Sequence, residues 1–393
     1  MAMADAVDED LAGLLARDEW PLRWQRKFHL VPNNGMGLGR RAVFFAMLAW
    51  LPLAVWAVVQ RHAFPDAGSG TEALLGHFGI NVRCLIAIPL LILAEGSVTR
   101  VTVSMVKQFL ANGLVTEAQR GLFATRLRNV ARLRDSSLPW VMVAGIAIAW
   151  LLVDPADPAR DELSWALDSS GGLAFGGWWF AYVARPIFLA LVLSWLWRIV
   201  VVVVLFQRIS TLDLALVPTH PDRAGGLGFL ESYPGAFALV TLAVSAVIAS
   251  GWAHDVVYHG DKVETLIQPL AVFAVAWSLL VLAPLLIFVP KLMAAKGQAK
   301  IEYGRLLGEQ GRNVRKRWIV GEAVSQEMLE PGGVGPIADA ISLYGAVLAM
   351  RAAPIGKIAL IAVLLPLAVP MLVVFSLEIP IKTLLMNLLK VLV

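Results

Sequence analysis

Long apolar segments alternate with polar connectors along the chain, and seven of the segments approach the length that a membrane crossing needs. A transmembrane helix uses about 20 mostly apolar residues to cross ~30 Å of hydrocarbon. The pattern therefore predicts an all-α, polytopic transmembrane helix bundle of about seven spans. The predicted spans are 42–59, 80–98, 138–153, 178–205, 236–253, 267–290 and 358–375.

Composition supports a membrane environment. Hydrophobic residues make up 58% of the chain and charged residues only 16%, outside the range of soluble globular domains. Residues 1–28 are polar and charged and lack the apolar core of a signal peptide, so we expect the first span to direct insertion. The single cysteine, Cys84, excludes an intrachain disulfide. The net charge of +4 is better explained by basic loops than by nucleic-acid binding.

Basic residues are concentrated in alternate connectors. The N-terminal segment and the connectors after the second, fourth and sixth spans carry most of the lysine and arginine. The connectors between them are poor in positive charge, and the one after the third span has Arg160 among several acids. The positive-inside rule then predicts a cytoplasmic N-terminus and, with seven spans, a C-terminus outside. Residues 377–393 are the exception, because they could also re-enter the membrane or lie at its interface.

The chain divides into a cytoplasmic segment, 1–41, and one transmembrane domain, 42–393, with helical insertions at 101–135 and 291–353. Both insertions are basic and amphipathic. Such helices suit packing into a cytoplasmic bundle, contact with anionic lipid or docking of a protein partner, and the sequence leaves these open. Homo-oligomerisation is left open in the same way.

The connector between the fourth and fifth spans contains the string Thr-His-Pro-Asp-Arg-Ala-Gly-Gly-Leu-Gly-Phe at 219–229. Proline, aspartate and three glycines favour a tight turn with left-handed residues. The turn could simply join two helices, its N–H groups could form an anion-binding nest or a gate, or it could take part in catalysis. The candidate functional loop consists of His220, Asp222, Arg223, Gly225, Gly226 and Gly228.

This string, together with Met-Arg-Ala-Ala-Pro-Ile at 350–355, Leu-Leu-Pro at 364–366 and Glu-Ile-Pro at 378–380, resembles a family of uncharacterised bacterial multi-pass membrane proteins. The resemblance covers about a tenth of the chain. It implies residence in a bacterial membrane, and hence the inner membrane, but no mechanism.

Charged residues inside the spans form a second candidate site. An ionisable side chain in a span is costly, so it is a functional candidate by default. Glu95 and Arg198 lie at similar depths near the cytoplasmic ends of the second and fourth spans. We therefore expect the two to form an intramembrane charge pair, with either a structural role or a role in an ion path.

Two weaker features complete the set. Pro366 and Pro370 lie four residues apart in the last span, which predicts a bent helix that could line a cavity. Outside the membrane, His254, Asp255, His259 and Asp261 offer metal-ligand chemistry, but their spacing does not put both histidines on one helical face. The sequence accordingly predicts no metal site and no cofactor.

Three functional classes remain. Several spans, intramembrane charges and prolines favour an ion channel or a small-solute transporter. The long basic connectors favour a membrane scaffold or sensor that engages a cytoplasmic partner. An enzyme is the least favoured, because only the loop at His220 offers a clustered acid and base. The expected partners are the lipid bilayer, including anionic lipid, and not nucleic acid.

Overall fold

The computed structural model describes residues 20–27, 29–32, 35–64, 73–153, 163–168, 171–321 and 335–378. The predicted all-α class is confirmed for these residues, since they contain no strand and a single isolated bridge joins Leu167 to Leu173. The prediction for the tail falls mostly on 379–393, outside the described residues.

Among the described residues, seven helices are long and apolar enough to cross a membrane, which confirms the predicted count and indicates an integral membrane protein. We number the helices of the described residues after merging the continuous segments of 78–111 and 175–210 and leaving out 3-10 turns, single helical turns and the π-helical turns at 255–259 and 315–320. They are α1 Trp20–Lys27, α2 Leu38–Val59, α3 Phe78–Ala111, α4 Glu117–Asp135, α5 Leu138–Val153, α6 Phe175–Ser210, α7 Ala238–His254, α8 Ile267–Leu286, α9 Val289–Val314, α10 Gly335–Ala349 and α11 Lys357–Phe375.

Prolines shape two of the spans in the same way. In α3 a π-helical turn, Arg83–Ala87, precedes Pro89, and in α6 a π-helical turn, Phe180–Ala184, precedes Pro186. Proline cannot donate a backbone hydrogen bond, and its ring clashes with the carbonyl four residues earlier. Widening the preceding turn accommodates that ring while the helix continues through the bilayer.

Helix α3 is the centre of the bundle. It packs against α2, α6 and α7, and α7 in turn packs closely along α11. The outward faces of the spans carry exposed aliphatic side chains, including Val55, Leu152, Val275 and Leu365. Water would oppose this exposure, whereas lipid tails accept it.

One end of the bundle collects most of the basic residues, and we call it the basic end. It contains the first turns of α2 and α11, the last turns of α3 and α6, and the connector that includes residues 219–229. Contacts between Arg41 and Glu95, between Asn112 and Gly226, and between Arg351 and Asp222 tie these segments together. Two long helices, α4 and α9, continue from this end, and α9 packs against α10.

Candidate functional site

The carboxylate of Glu95 lies between two guanidinium groups inside the bundle. Its Oε2 is 2.5 Å from Nη1 of Arg41, and its Oε1 is 3.2 Å from Nη2 of Arg198. Residue exposure is 3% for Arg41, 5% for Glu95 and 9% for Arg198. The structure therefore brings the two sequence candidates together and adds Arg41, and we call these three side chains the Glu95 cluster.

The sequence assigns Arg41 to the cytoplasmic N-terminal segment, 1–41, whereas helix α2 begins at Leu38 and includes it. Its guanidinium also donates from Nη2 to Glu95 Oε1 at 3.3 Å and from Nε to Gln25 of α1 at 2.5 Å. The sequence placed the start of the first span at Ala42 because Arg40 and Arg41 are charged. A helix can, however, include charged residues before its apolar part begins. Depth in the membrane was the one signal for a contact between Arg41 and Glu95, because Glu95 lies near the same end of the bundle as the first turn of α2.

Arg198 is held in place by aromatic packing as well as by Glu95. Its guanidinium carbon lies 4.7 Å from the centroid of the Trp195 ring, a cation–π arrangement. The indole of Trp195 donates to the carbonyl of Leu91 at 3.1 Å, which fixes the ring against α3. Buried charges tolerate loss of water only when hydrogen bonds replace it. The three ionisable groups of the cluster carry one more positive charge than negative.

A cavity of about 190 Å³ lies against the cluster. Helices α1, α2, α3, α5 and α6 all contribute to its wall. One end of the cavity is lined by the Glu95 cluster and Gln25, and the next polar lining residue along α6 is Ser194. The remaining wall is apolar apart from the indole of Trp140, whose buried Nε1 has no acceptor among the described residues. The lining residues are Leu22, Gln25, Arg41, Phe45, Glu95, Trp140, Ile187, Ala190, Leu191, Ser194 and Arg198.

The loop at His220 has a different architecture, built around its own aspartate. The carboxylate of Asp222 accepts backbone N–H groups from Ala224 at 2.8 Å, Gly226 at 3.2 Å and Gly228 at 2.7 Å. Nδ1 of His220 lies 2.9 Å from the same carboxylate. The N–H groups that could form an anion-binding nest thus bind Asp222 itself.

The glycines of this loop have separate structural reasons. Gly225 and Gly226 adopt left-handed backbone conformations, with φ of 65° and 94°, which favour glycine. Gly228 lies so close to Asp222 that a side chain does not fit, since a Cβ there would lie 2.6 Å from Cβ of Asp222. Arg223 is left-handed without being glycine, at φ 54°, and its side chain is exposed. Together these residues aim three N–H groups at one carboxylate.

Hydrogen bonds from other elements hold the loop at the basic end. Asn112, after α3, donates to the carbonyl of Gly226 at 3.3 Å. Arg351, just before α11, donates from Nη2 to the carbonyl of Asp222 at 2.9 Å and from its backbone N–H to Arg223 at 2.7 Å. It also forms an ion pair with Glu231. Sequence reasoning did not pair Arg351 with the loop, although both strings carried the family resemblance.

The pKa of Asp222 reflects this surrounding. Partial burial is the largest influence and raises the pKa, but the three backbone donors and the His220 ring together hold it below its ordinary value. The carboxylate is therefore ionised at neutral pH, with donors already bound to both of its oxygens. That arrangement suits a structural brace better than a general base, which must be free to accept a substrate proton.

The candidate metal ligands outside the bundle lie at the end of α7. A π-helical turn, Asp255–His259, brings the rings of His254 and His259 to 5.8 Å, which a normal helical period does not predict. His254 is buried and stacks on His77, while Asp255 and His259 approach to 3.7 Å. No group of three or more histidine, cysteine or acidic side chains among the described residues could hold a metal ion. Asp261, the fourth candidate ligand, likewise belongs to no such group.

The two prolines of the last span lie within one continuous helix, α11. Each removes a backbone donor and leaves a carbonyl without its helical partner. The hydroxyl of Ser245 on α7 donates to the carbonyl of Leu367 at 2.6 Å, between the two prolines. This buried bond joins the two most closely packed spans.

No protein-family model, curated protein or solved structure matches this chain. The functional inference consequently depends on the geometry of the two sites.

Proposed function

We propose that this integral membrane protein is a carrier for a small solute, and that the cavity beside the Glu95 cluster is its binding site. The observation that supports the proposal is a set of three buried ionisable side chains lining a cavity between transmembrane helices. Intramembrane charges are costly and tend to mark solute pathways. A cavity of about 190 Å³ offers room for a small ligand.

A gated carrier fits better than a permanently open channel. The cavity wall along α6 ends at Ile187. Beyond that point, towards the end opposite the basic end, a core of buried residues that includes Leu53, Ile88, Trp165 and Phe180 fills the space. An open pore needs a continuous polar path, whereas a carrier needs a binding site that opens to one side at a time. The prolines and π-helical turns of α3 and α6 are places where those helices could bend.

In this proposal the basic end faces the cytoplasm of a bacterium. The distribution of lysine and arginine supports the orientation, and the family resemblance supports the inner membrane. Reporter fusions after Arg317 should report the cytoplasm, and fusions after Lys262 the outside. A reversed result at either position would contradict this orientation.

Uptake into proteoliposomes tests the carrier. The full-length protein would be reconstituted and offered radiolabelled phosphate, acetate and octyl phosphate. Two variants on α6 supply the contrast: Ala190→Phe fills the cavity, while Leu196→Phe introduces the same side chain at an exposed position. We expect uptake of at least one probe by the wild type and by Leu196→Phe, and its loss in Ala190→Phe. Uptake equal to that of protein-free liposomes, or unchanged by Ala190→Phe, would contradict the proposal.

A scaffold is the second candidate, and α9 is the observation that favours it. This helix runs 26 residues, and only Leu292 and Ala299 are buried, while Met293, Ile301 and Leu306 are exposed. An exposed apolar set on a basic helix suits a protein partner. Exchanging Ile301 and Leu306 for lysine should abolish copurification of a soluble partner if the scaffold proposal holds. Unchanged copurification would argue against α9 as the docking helix.

A further inference from the structure

We propose that α1 is a lid that closes the cavity at the basic end, and that a hydrogen bond to Arg41 holds this lid in place. The proposal rests on the assignment of the cavity as the solute site, because it names the route by which a solute enters and leaves. Its test measures access to the cavity without any solute, so failure of the lid and failure of the carrier are distinguishable.

One face of α1 lines the cavity, and the opposite face is exposed. Leu22 and Gln25, three positions apart, belong to the lining, and Leu22 is only 3% exposed. Trp24 and Lys27 are exposed, Trp24 to 47%. Residues three apart share one side of a helix, whereas residues two apart do not. A single short helix therefore separates this end of the cavity from the outside of the protein.

Polar contacts attach α1 to the bundle. Gln25 accepts a hydrogen bond from Nε of Arg41 at 2.5 Å, and Arg23 donates to the carbonyl of Asp135, at the end of α4, at 3.2 Å. Among the described helices, none packs extensively along α1. The helix has eight residues, and isolated helices shorter than about 12 residues are marginally stable in water. Helix α1 can therefore leave its position while the contacts between the spans remain.

Arg41 connects the lid to the interior of the cavity. The guanidinium that donates from Nε to Gln25 also donates from Nη1 and Nη2 to the carboxylate of Glu95. Arg41 is 3% exposed, so loss of the Gln25 acceptor would leave a buried donor unsatisfied. A solute that displaces this guanidinium would change its contact with α1. Closure of the lid and occupation of the cavity are thereby linked through one side chain.

The connector between α1 and α2 has backbone conformations that suit a hinge. His29, two residues after α1, is left-handed at φ 58°, which is uncommon for a residue other than glycine. Gly37, directly before α2, is left-handed at φ 57°. Hinges are a few loop positions that absorb large changes of φ and ψ. Rotation at these two positions would move α1 while α2 stays in the bundle.

Cysteine labelling measures access to the cavity. The chain has one cysteine, Cys84, so Cys84→Ala gives a background without thiols. In that background Ala190→Cys places a thiol in the cavity wall, and Ile301→Cys places one at a 74% exposed position of α9 as the reference. The full-length proteins would be placed in phosphatidylcholine nanodiscs and treated with a charged, membrane-impermeant maleimide. We expect the Ala190→Cys protein to react at least about tenfold more slowly than the Ile301→Cys protein.

Variants of α1 distinguish a lid from a fixed wall. Leu22→Ala removes apolar contact with the cavity, and Gln25→Leu keeps the approximate size of the side chain but removes the acceptor. Each should raise the labelling rate of the Ala190→Cys protein by roughly tenfold. Lys27→Gln, on the exposed face of the same helix, is the matched control and should leave that rate unchanged.

The native cysteine reports general loosening of the bundle. Cys84 is buried in the core beyond the cavity, towards the end opposite the basic end. In proteins that keep Cys84 and lack Ala190→Cys, Leu22→Ala and Gln25→Leu should leave its slow labelling unchanged. Equal acceleration at Cys84 would mean that the variants loosen the whole bundle, and it would overturn the lid.

The remaining outcomes separate the lid from the carrier. Labelling of the Ala190→Cys protein as fast as that of the Ile301→Cys protein, or unchanged by both α1 variants, would overturn the lid. If labelling responds as expected while no probe is taken up into proteoliposomes, the lid stands and the carrier proposal fails. If a probe is taken up while labelling is insensitive to Leu22→Ala and Gln25→Leu, the carrier stands and the lid fails.

Discussion

Two carboxylates at the basic end of this protein have donors on both oxygens, but the donors come from different distances along the chain. Asp222 binds N–H groups of residues two, four and six positions later. Glu95 binds Arg41 and Arg198, which are 54 and 103 positions away. The first arrangement can form within one loop, whereas the second requires three transmembrane helices to be assembled.

This difference indicates that Asp222 stabilises a local turn, whereas Glu95 belongs to a site inside the helix bundle. Neutral backbone donors compensate Asp222 in a loop outside the spans, and both oxygens of the carboxylate accept hydrogen bonds from them. At Glu95, charged donors compensate a charge within the bundle, and a cavity remains beside them. Removing one partner of a buried ion pair is more damaging than losing one of several neutral hydrogen bonds. Substitutions at the two sites should therefore differ in size and in kind.

The largest expected effect is that of Glu95→Gln. The amide keeps the size of the side chain but removes the negative charge that the two guanidinium groups share, which should lower the free energy of unfolding by about 3–5 kcal/mol. Denaturant titration in mixed micelles measures the change. Arg198→Leu should cost less, because Glu95 and Arg41 remain as a neutral pair joined by two contacts.

The double variant Glu95→Gln/Arg198→Leu provides the control for this prediction. Removing the second charge should recover part of the stability lost in Glu95→Gln. A greater loss in Arg198→Leu than in Glu95→Gln, or strict additivity in the double variant, would mean that the carboxylate is not the shared partner of the two arginines.

The next effect in size is that of Gly228→Ala in the Asp222 loop. The added Cβ would lie 2.6 Å from Cβ and 2.9 Å from Oδ2 of Asp222, so the carboxylate must shift away from its donors. We expect a loss of about 1–3 kcal/mol in the free energy of unfolding. Gly145→Ala in α5 is the matched control, because a Cβ there meets nothing within 4 Å. Equal stability of the two variants would contradict the tight approach.

Asp222→Asn should have a smaller effect, of about 1–2 kcal/mol, measured in the same titration. One amide oxygen can still accept from Ala224 and Gly226, but the amide nitrogen would face the N–H of Gly228. The wild type should also depend on pH. Because the folded-state pKa is depressed, the stabilisation is present above the unfolded pKa of about 3.9 and is lost as the pH falls through the folded-state value. Asp222→Asn should remove this part of the acid sensitivity, and an unchanged acid profile would contradict the assignment.

The sequence predicted the spans well, because hydropathy over about 20 residues directly reflects the thickness of the bilayer. It missed Arg41, because it began the first span directly after the last charged residue of the N-terminal segment, whereas the helix begins earlier, at Leu38. Equal depth indicated that Glu95 and Arg198 could meet, but no local pattern reveals a third partner 54 positions away.

Within the loop, proline and glycine predicted a tight turn but not its contents. The three N–H groups converge on Asp222 in a backbone where Arg223, as well as Gly225 and Gly226, adopts a left-handed conformation, which is uncommon for arginine. The approach of His254 to His259 was missed for a related reason. With a helical period of 3.6, residues five positions apart lie on different faces of the helix. The π-helical turn that brings His254 and His259 together has no clear signature in the sequence.

The central claim is that the cavity beside Glu95 binds the ligand while the loop at Asp222 supports the fold. The most direct test is to measure solute uptake into proteoliposomes per folded protein, together with melting temperature, for Ala190→Phe and Asp222→Asn. We expect Ala190→Phe to lose uptake with a melting temperature near that of the wild type, and Asp222→Asn to melt earlier while transporting normally. Loss of uptake in Asp222→Asn with retained uptake in Ala190→Phe would contradict the account and assign the solute site to the loop.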